Sequence, residues 1–241
     1  MSDNSGTTIV TGAGSGIGLA LVKALVAQNL SVVALDRNVD ELVGIRSASL
    51  HITEGDVRDR STCLKLASAA EQIGPISGLI CCAAVFRTVP FLELDDNTLA
   101  QTLDVNAKGA MLMCQAVLPF LRQRRRGSIV LFSSGFARTG GIHSAHYAAS
   151  KGAILGLGRS LALEIGDENV RVNILSPGIT DTPQPRGNMS EEQMLSRASM
   201  IPLGRIGQTD DMVEAVKFLL SEDSSFITGQ DLRVNGGAHL F

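Results

Sequence analysis

Aromatic residues are scarce in this chain. They make up 4% of 241 residues, tryptophan is absent, and the one tyrosine is Tyr147. Any core must therefore be aliphatic, and chemistry that needs a phenol has a single candidate. Charge is sparse too: charged residues are 19% and the formal net charge is −3, which gives no general ground for nucleic-acid binding. No apolar run approaches the length that spans a bilayer. The polar start, residues 1–6, lacks the basic and apolar stretches of a secretory signal, so a cytoplasmic protein with no membrane partner is expected. Four cysteines occur, Cys63, Cys81, Cys82 and Cys114, with no CxxC spacing. Cys81 and Cys82, adjacent on a strand, would point to opposite faces. The four are read as small buried thiols of a reducing compartment, and no metal is expected.

What the chain has in quantity is aliphatic: 44% of residues are hydrophobic, enough for a large core. Short apolar runs recur at residues 7–11, 31–35, 50–53, 77–82, 128–132, 170–175 and 232–235. Helical patterns lie between them at 17–28, 58–72, 95–124 (one helix or two), 147–165 and 210–220. Continuous apolar runs suit parallel strands buried on both faces. Their alternation with helices predicts one α/β domain over residues 1–241. Its architecture is a Rossmann-type, doubly wound parallel sheet of about seven strands with helices on both faces. No repeat or linker interrupts it. The basic run at residues 122–126 reads as a solvated helix end, where cations favour the dipole. Residues 183–207, within a stretch rich in Pro, Gly and Met, are expected to form a lid over the carboxyl ends of the strands.

The first strand runs into a turn with Gly12, Gly14, Gly16 and Gly18. Glycines here let the backbone approach a pyrophosphate and leave helix N–H groups free to bind it. The general GxGxxG spacing is not met, since Ile17 or Leu19 would have to be glycine. The string from Thr11 to Gly18 instead resembles the TGxxxGxG motif of the short-chain dehydrogenases/reductases, and the resemblance runs from Thr7 to about Gly237. It implies a nicotinamide cofactor held at Gly12, Ser15, Gly16, Ile17 and Gly18. Asp36, at the end of the second strand, can accept the ribose hydroxyls of NAD and would repel the 2′-phosphate of NADP. Arg37 argues the other way, but NAD is the expected cofactor. By the same resemblance Asp56 and Val57 contact adenine. Residues 81–84, Cys-Cys-Ala-Ala, stand where the family commonly has Asn-Asn-Ala-Gly, with Cys81 and Ala83 beside the cofactor. Thiols are poor substitutes for amide hydrogen bonds, so a locally altered strand end is expected. Pro177, Gly178, Ile179 and Thr182 match the motif that contacts the nicotinamide.

Carbonyl reduction by hydride needs a proton donor and a group to hold the oxygen. Tyr147 and Lys151 are four residues apart, on one face of a helix. The ammonium is expected to favour phenolate and so lower a pKa that is ordinarily about 10. By resemblance Ser134, not its neighbour Ser133, holds the substrate oxygen. Asn106 is the fourth catalytic residue, set at an irregularity in a helix, where it would hold a water near the lysine. Tyr147 and Lys151 also contact the cofactor. The implied function is hydride transfer between a nicotinamide and a small alcohol or ketone. A catalytically retired NAD(H) sensor is the alternative, but such proteins lose the tyrosine or lysine that this chain keeps. Dehydration or epimerisation on the same fold is a third reading.

The substrate pocket is expected near Phe86, residues 136–144 and residues 183–203. Met189, Met194 and Met200 are candidates for an apolar cover, and Arg138, His143, His146 and Arg186 for an anion contact. Family relatives assemble through helices matching residues 107–122 and 147–165, so a homo-oligomer, a tetramer by resemblance, is expected.

Overall fold

The structure, a computed structural model, describes residues 6–240. Phe241 and most of the polar start, residues 1–5, lie outside the described residues. The chain alternates strand and helix throughout. The order begins β1 (Thr7–Thr11), α1 (Gly16–Ala27), β2 (Ser31–Asp36), α2 (Asp40–Val43), β3 (Leu50–Glu54), α3 (Arg60–Ile73) and β4 (Ile76–Cys81). It continues with α4 (Asp96–Leu103), α5 (Gly109–Arg124), β5 (Gly127–Phe132), α6 (Phe136–Thr139), α7 (Ala145–Ile165) and β6 (Val170–Pro177). Then come α8 (Pro183–Arg186), α9 (Glu191–Ser199), α10 (Thr209–Leu220) and β7 (Asp231–Val234). The expected helix at 95–124 is α4 and α5 fused through a π turn, Asp104–Lys108.

All seven strands are parallel, in the order β3-β2-β1-β4-β5-β6-β7. Alternation along each strand sends side chains to two separate cores. Val33, Ile9, Leu79, Ile129 and Val172 pair in register across five strands and pack under α3, α5 and α7. Ala34, Val10, Ile80 and Val130 form the neighbouring row and pack under α1 and α10. Each such aliphatic side chain contributes roughly 1.5–3 kcal/mol by leaving water. That second row ends on a buried amide, Asn173, which donates to the Ile227 carbonyl at 2.7 Å and accepts from Gln230 N–H at 3.1 Å. This polar tie fixes the loop that delivers β7 to the sheet edge.

The basic run is tied down: Arg122 pairs with Glu168, Arg124 with Glu71 and Arg126 with Glu222. β4 stays in register with β1 through Cys81. Beyond it, Cys82 N–H donates to Thr11 O at 3.2 Å and Ala83 N–H to Thr11 Oγ1 at 3.4 Å. Backbone groups and the Thr11 hydroxyl hold this strand end. Among the described residues no helix is long and apolar enough to cross a membrane.

Candidate active site

β1 neighbours β2 on one side and β4 on the other, so strand order reverses at its carboxyl end and a crevice opens there. The glycine turn occupies that end. Gly12 and Gly16 take positive φ, +68° and +51°, which glycine adopts without steric cost. A Cβ on Gly18 would lie 2.0 Å from the Gly12 carbonyl oxygen. Gly18 therefore makes the turn tight, while Gly12 and Gly16 face the crevice. Ser15 caps α1 in extended geometry with no side-chain hydrogen bond, and the first turn carries no acid. The N–H groups at this helix start are thus not capped by a side chain, as an anion site requires. This cradle fits the pyrophosphate of a dinucleotide.

Beside it the Asp36 carboxylate is pinned by two backbone donors, Gly14 N–H at 2.8 Å and Asn38 N–H at 3.0 Å. Arg37 reaches away to Asp56, with Nε 3.7 Å from Oδ2. Asp56 is gripped harder by Arg58, at 2.7 Å, and those hydrogen bonds hold its carboxyl below the ordinary range.

One cleft of about 1160 Å³ runs from this turn to the far wall. It is lined by Gly12, Ser15, Gly16, Ile17, Asp36, Arg37, Asp56, Val57, Ala83, Tyr147, Lys151, Pro177, Gly178, Ile179 and Thr182. Two expected cofactor contacts do not line it. Gly18 sits behind the turn, and Cys81 is buried in the core beside Cys114, where that contact and burial push its thiol up. Cys82 takes the cleft position instead, and burial pushes its thiol up to about 12.

At the far wall Tyr147 is held between two rings, Phe86 at 4.7 Å and Phe136 at 6.3 Å between centroids. Burial among them raises its pKa, while the side chains of Ser134 and Gln184 reach the phenol and pull the other way. The expected lowering by Lys151 is not found. The ammonium lies 5.8 Å from the ring centre and donates instead to the Phe132 carbonyl at 2.8 Å. Burial lowers Lys151 itself from 10.5 to about 8. Apolar packing, not the neighbouring cation, sets the phenol.

Ser134 follows β5 and lines the cleft, where its Oγ accepts from Phe136 N–H at 3.2 Å. Ser133 donates to the Lys151 carbonyl at 2.8 Å and so anchors α7. Asn106 does not line the cleft. It lies in the π turn, 1% exposed, accepting from Val85 N–H at 2.7 Å and donating to Val85 O and Ser150 Oγ, both at 3.0 Å. Ser150 in turn donates to the Tyr147 carbonyl at 2.7 Å. The amide thus ties the loop carrying Phe86 to the helix carrying Tyr147.

Over the tyrosine end lie residues of α8 and α9. Met189 and Met200 line the cleft, whereas Met194 is buried and anchors α9. Of the suggested anion contacts, Arg138 pairs with Asp231 and Arg186 with Asp181, His143 is exposed and His146 is buried; none of the four lines the cleft. Gln184, Asn188 and Arg197 do line it; they fall within the expected pocket stretch 183–203, where the sequence does not single them out. Gln184 lies in the one-turn α8, Asn188 in the turn after it and Arg197 in the last turn of α9, segments too short for periodicity to mark an inward position. A second cavity, about 590 Å³ at the opposite strand ends, is lined by Arg124, Arg126 and Arg171, all engaged by acids, carbonyls or Ser224.

A family model described as enoyl-(acyl carrier protein) reductase matches residues 12–239. The chain is 32% identical to the (3R)-3-hydroxyacyl-CoA dehydrogenase of Rattus norvegicus, over 97% of this chain and 96% of that protein. A crystal structure of a short-chain dehydrogenase/reductase (glucose/ribitol dehydrogenase) from Brucella melitensis superposes with a TM-score of 0.92 at 30% identity, covering 98% and 97% of the two chains. A 4-hydroxyisoleucine dehydrogenase complexed with NADH superposes with a TM-score of 0.86 at 28% identity, covering 97% and 98%. With the glycine turn and the Tyr147–Lys151 pair on one cleft, these matches establish that the chain belongs to the short-chain dehydrogenase/reductase family and is an NAD(P)-dependent oxidoreductase.

Proposed function

We propose that the protein transfers hydride between NAD(H) and a small alcohol or ketone, with Tyr147 as acid/base, Ser134 holding the reacting oxygen, Lys151 supporting both cofactor and tyrosine, and Asn106 positioning them. The observation that carries this reading is the Tyr147 phenol, buried at the wall of the same cleft onto which the glycine turn opens and reached by Ser134. When bound, the nicotinamide supplies or accepts the hydride. The protein holds the substrate oxygen between the Ser134 hydroxyl and the phenol, and Tyr147 moves the proton. A phenol kept protonated by burial suits donation to a carbonyl oxygen.

The preference for NAD is supported by Asp36. Two backbone donors fix its carboxylate at the cleft, where it would accept ribose hydroxyls and repel a 2′-phosphate. Arg37, the residue that would welcome the phosphate, faces Asp56 instead. Residues 183–207 would act as the lid. A face of α7 carrying Gly152 and Gly156, where an added Cβ would meet nothing within 4 Å, would pair with α5 and α7 of a second copy. A tetramer is the assembly that family resemblance favours.

The test is a fluorescence titration with NADH and NADPH, in a chain without tryptophan background. NADH is expected to bind more tightly. A preference for NADPH would reverse the cofactor assignment, and binding of neither would sink the reading. With a turned-over alcohol or ketone in hand, Tyr147→Phe should lower kcat by roughly 10²- to 10⁴-fold and leave NADH binding nearly intact.

A further inference from the structure

We infer that the substrate is an anion, a hydroxy or oxo acid whose carboxylate is gripped by Arg197 on α9; this rests on the oxidoreductase reading above. Charge along the cleft is sharply divided. Its two carboxylates, Asp36 and Asp56, both lie at the end by β2 and β3. Of the described residues lining the tyrosine end, none is acidic. Arg197 lies there, and its guanidinium has no ion-pair or hydrogen-bond partner among the described residues. Of the nearby arginines, Arg186 pairs with Asp181 and Arg138 with Asp231, and Arg87 is exposed and does not line the cleft.

Arg197 is exposed and lies in the last turn of α9, at the wall of the cleft. Met194 is the buried residue of this helix. Arg197 follows three residues later, on the neighbouring side of the helix, and lines the cleft. A guanidinium at the wall of a cleft with no acid lining that end is available to an anionic ligand. The Gln184 side chain reaches the Tyr147 phenol, so this segment lies over the reacting position. The lining of the cleft also includes the apolar side chains of Ile142, Met189 and Met200. Such a site fits a short alkyl body with an oxygen to reduce at one end and a carboxylate at the other, and a planar guanidinium binds a carboxylate through two parallel hydrogen bonds.

The experiment compares 3-oxobutanoate and 4-oxopentanoate with their methyl esters, and with uncharged cyclohexanone, in the presence of NADH. Wild type should favour at least one acid over its ester in kcat/KM by roughly 10- to 100-fold, the range for a hydrogen bond to a charged group. In Arg197→Gln that ratio should fall to near one, through KM of the acid and not kcat. Arg197→Lys, which keeps the charge but not the fork, should restore part of it. Reduction of esters or cyclohexanone with no preference for either acid would overturn the carboxylate assignment and leave the oxidoreductase reading standing, as would an acid preference untouched in Arg197→Gln. Failure of wild type to bind NADH or NADPH would overturn both.

Discussion

The ammonium of Lys151 lies 5.8 Å from the centre of the Tyr147 ring and gives its hydrogen bond to the Phe132 carbonyl, 2.8 Å away. The two side chains share a helix face, yet the carbonyl at the end of β5 takes the donor. Without cofactor the lysine is a buried cation with one neutral partner, which is why burial depresses it to about 8.

That depression makes a prediction for stability. The folded pKa lies below the unfolded value of 10.5, so the unfolded chain binds more protons between the two. The group's cost is fully present below pH 8 and fades as pH rises toward 10.5. Lys151→Met should therefore melt at a higher temperature than wild type at pH 7 in the absence of cofactor. The gap should close as pH approaches 10.5, as a series of thermal melts will show; a gap independent of pH would contradict the buried-charge account.

His146 titrates on the acid side. It is 3% exposed, and its Nε2 is a buried nitrogen with no partner among the described residues. Burial lowers its pKa below 6.5, against a contact with the Arg87 backbone that raises it. The stability it contributes is present above pH 6.5 and is lost as pH falls through the folded value. In His146→Gln, which cannot titrate, the urea midpoint should drop less between pH 7 and pH 5 than in wild type.

Gly18→Ala should disable the cofactor turn, because its Cβ would meet the Gly12 carbonyl at 2.0 Å. Overpacking of this kind costs about 1–3 kcal/mol. Urea unfolding should register that loss, and NADH titration should register weaker binding. Unchanged affinity would mean that the turn can shift without consequence.

Gly156→Leu probes the exposed side of α7. Nothing within 4 Å would oppose the new side chain in the isolated chain, and helix propensity improves by up to about 1 kcal/mol. Light scattering should report a smaller assembly without a lower melting temperature. An assembly of unchanged mass would place the subunit contact elsewhere.

Much of this structure was legible in the sequence. Each strand is a continuous apolar run because both of its faces are buried, and the glycine turn and the Tyr147–Lys151 spacing are local patterns with local causes. What escaped depends on three dimensions. The irregularity at Asn106 is implied by the resemblance alone; the π turn there is a phase slip too small for periodicity to resolve within residues 95–124. The rise in the Tyr147 pKa comes from Phe86 and Phe136, remote in sequence and packed on it only by the fold. Arg197 looks in sequence like any cation in a last helical turn. Only the fold shows that it lines the cleft.

The parallel order of the sheet also governs how the molecule is born. No strand pair in it closes as a hairpin, since parallel neighbours need a crossover between them. Thr7 and Ser31, which bond across β1 and β2, are 24 residues apart, and Thr11 reaches Ile80 across 69. A nascent chain must therefore leave one edge of β1 unpaired until β4 has been synthesised. Folding dominated by such distant closures is slow. The Thr11 contacts that hold the cleft floor are accordingly expected to form late, and the nucleotide site with them.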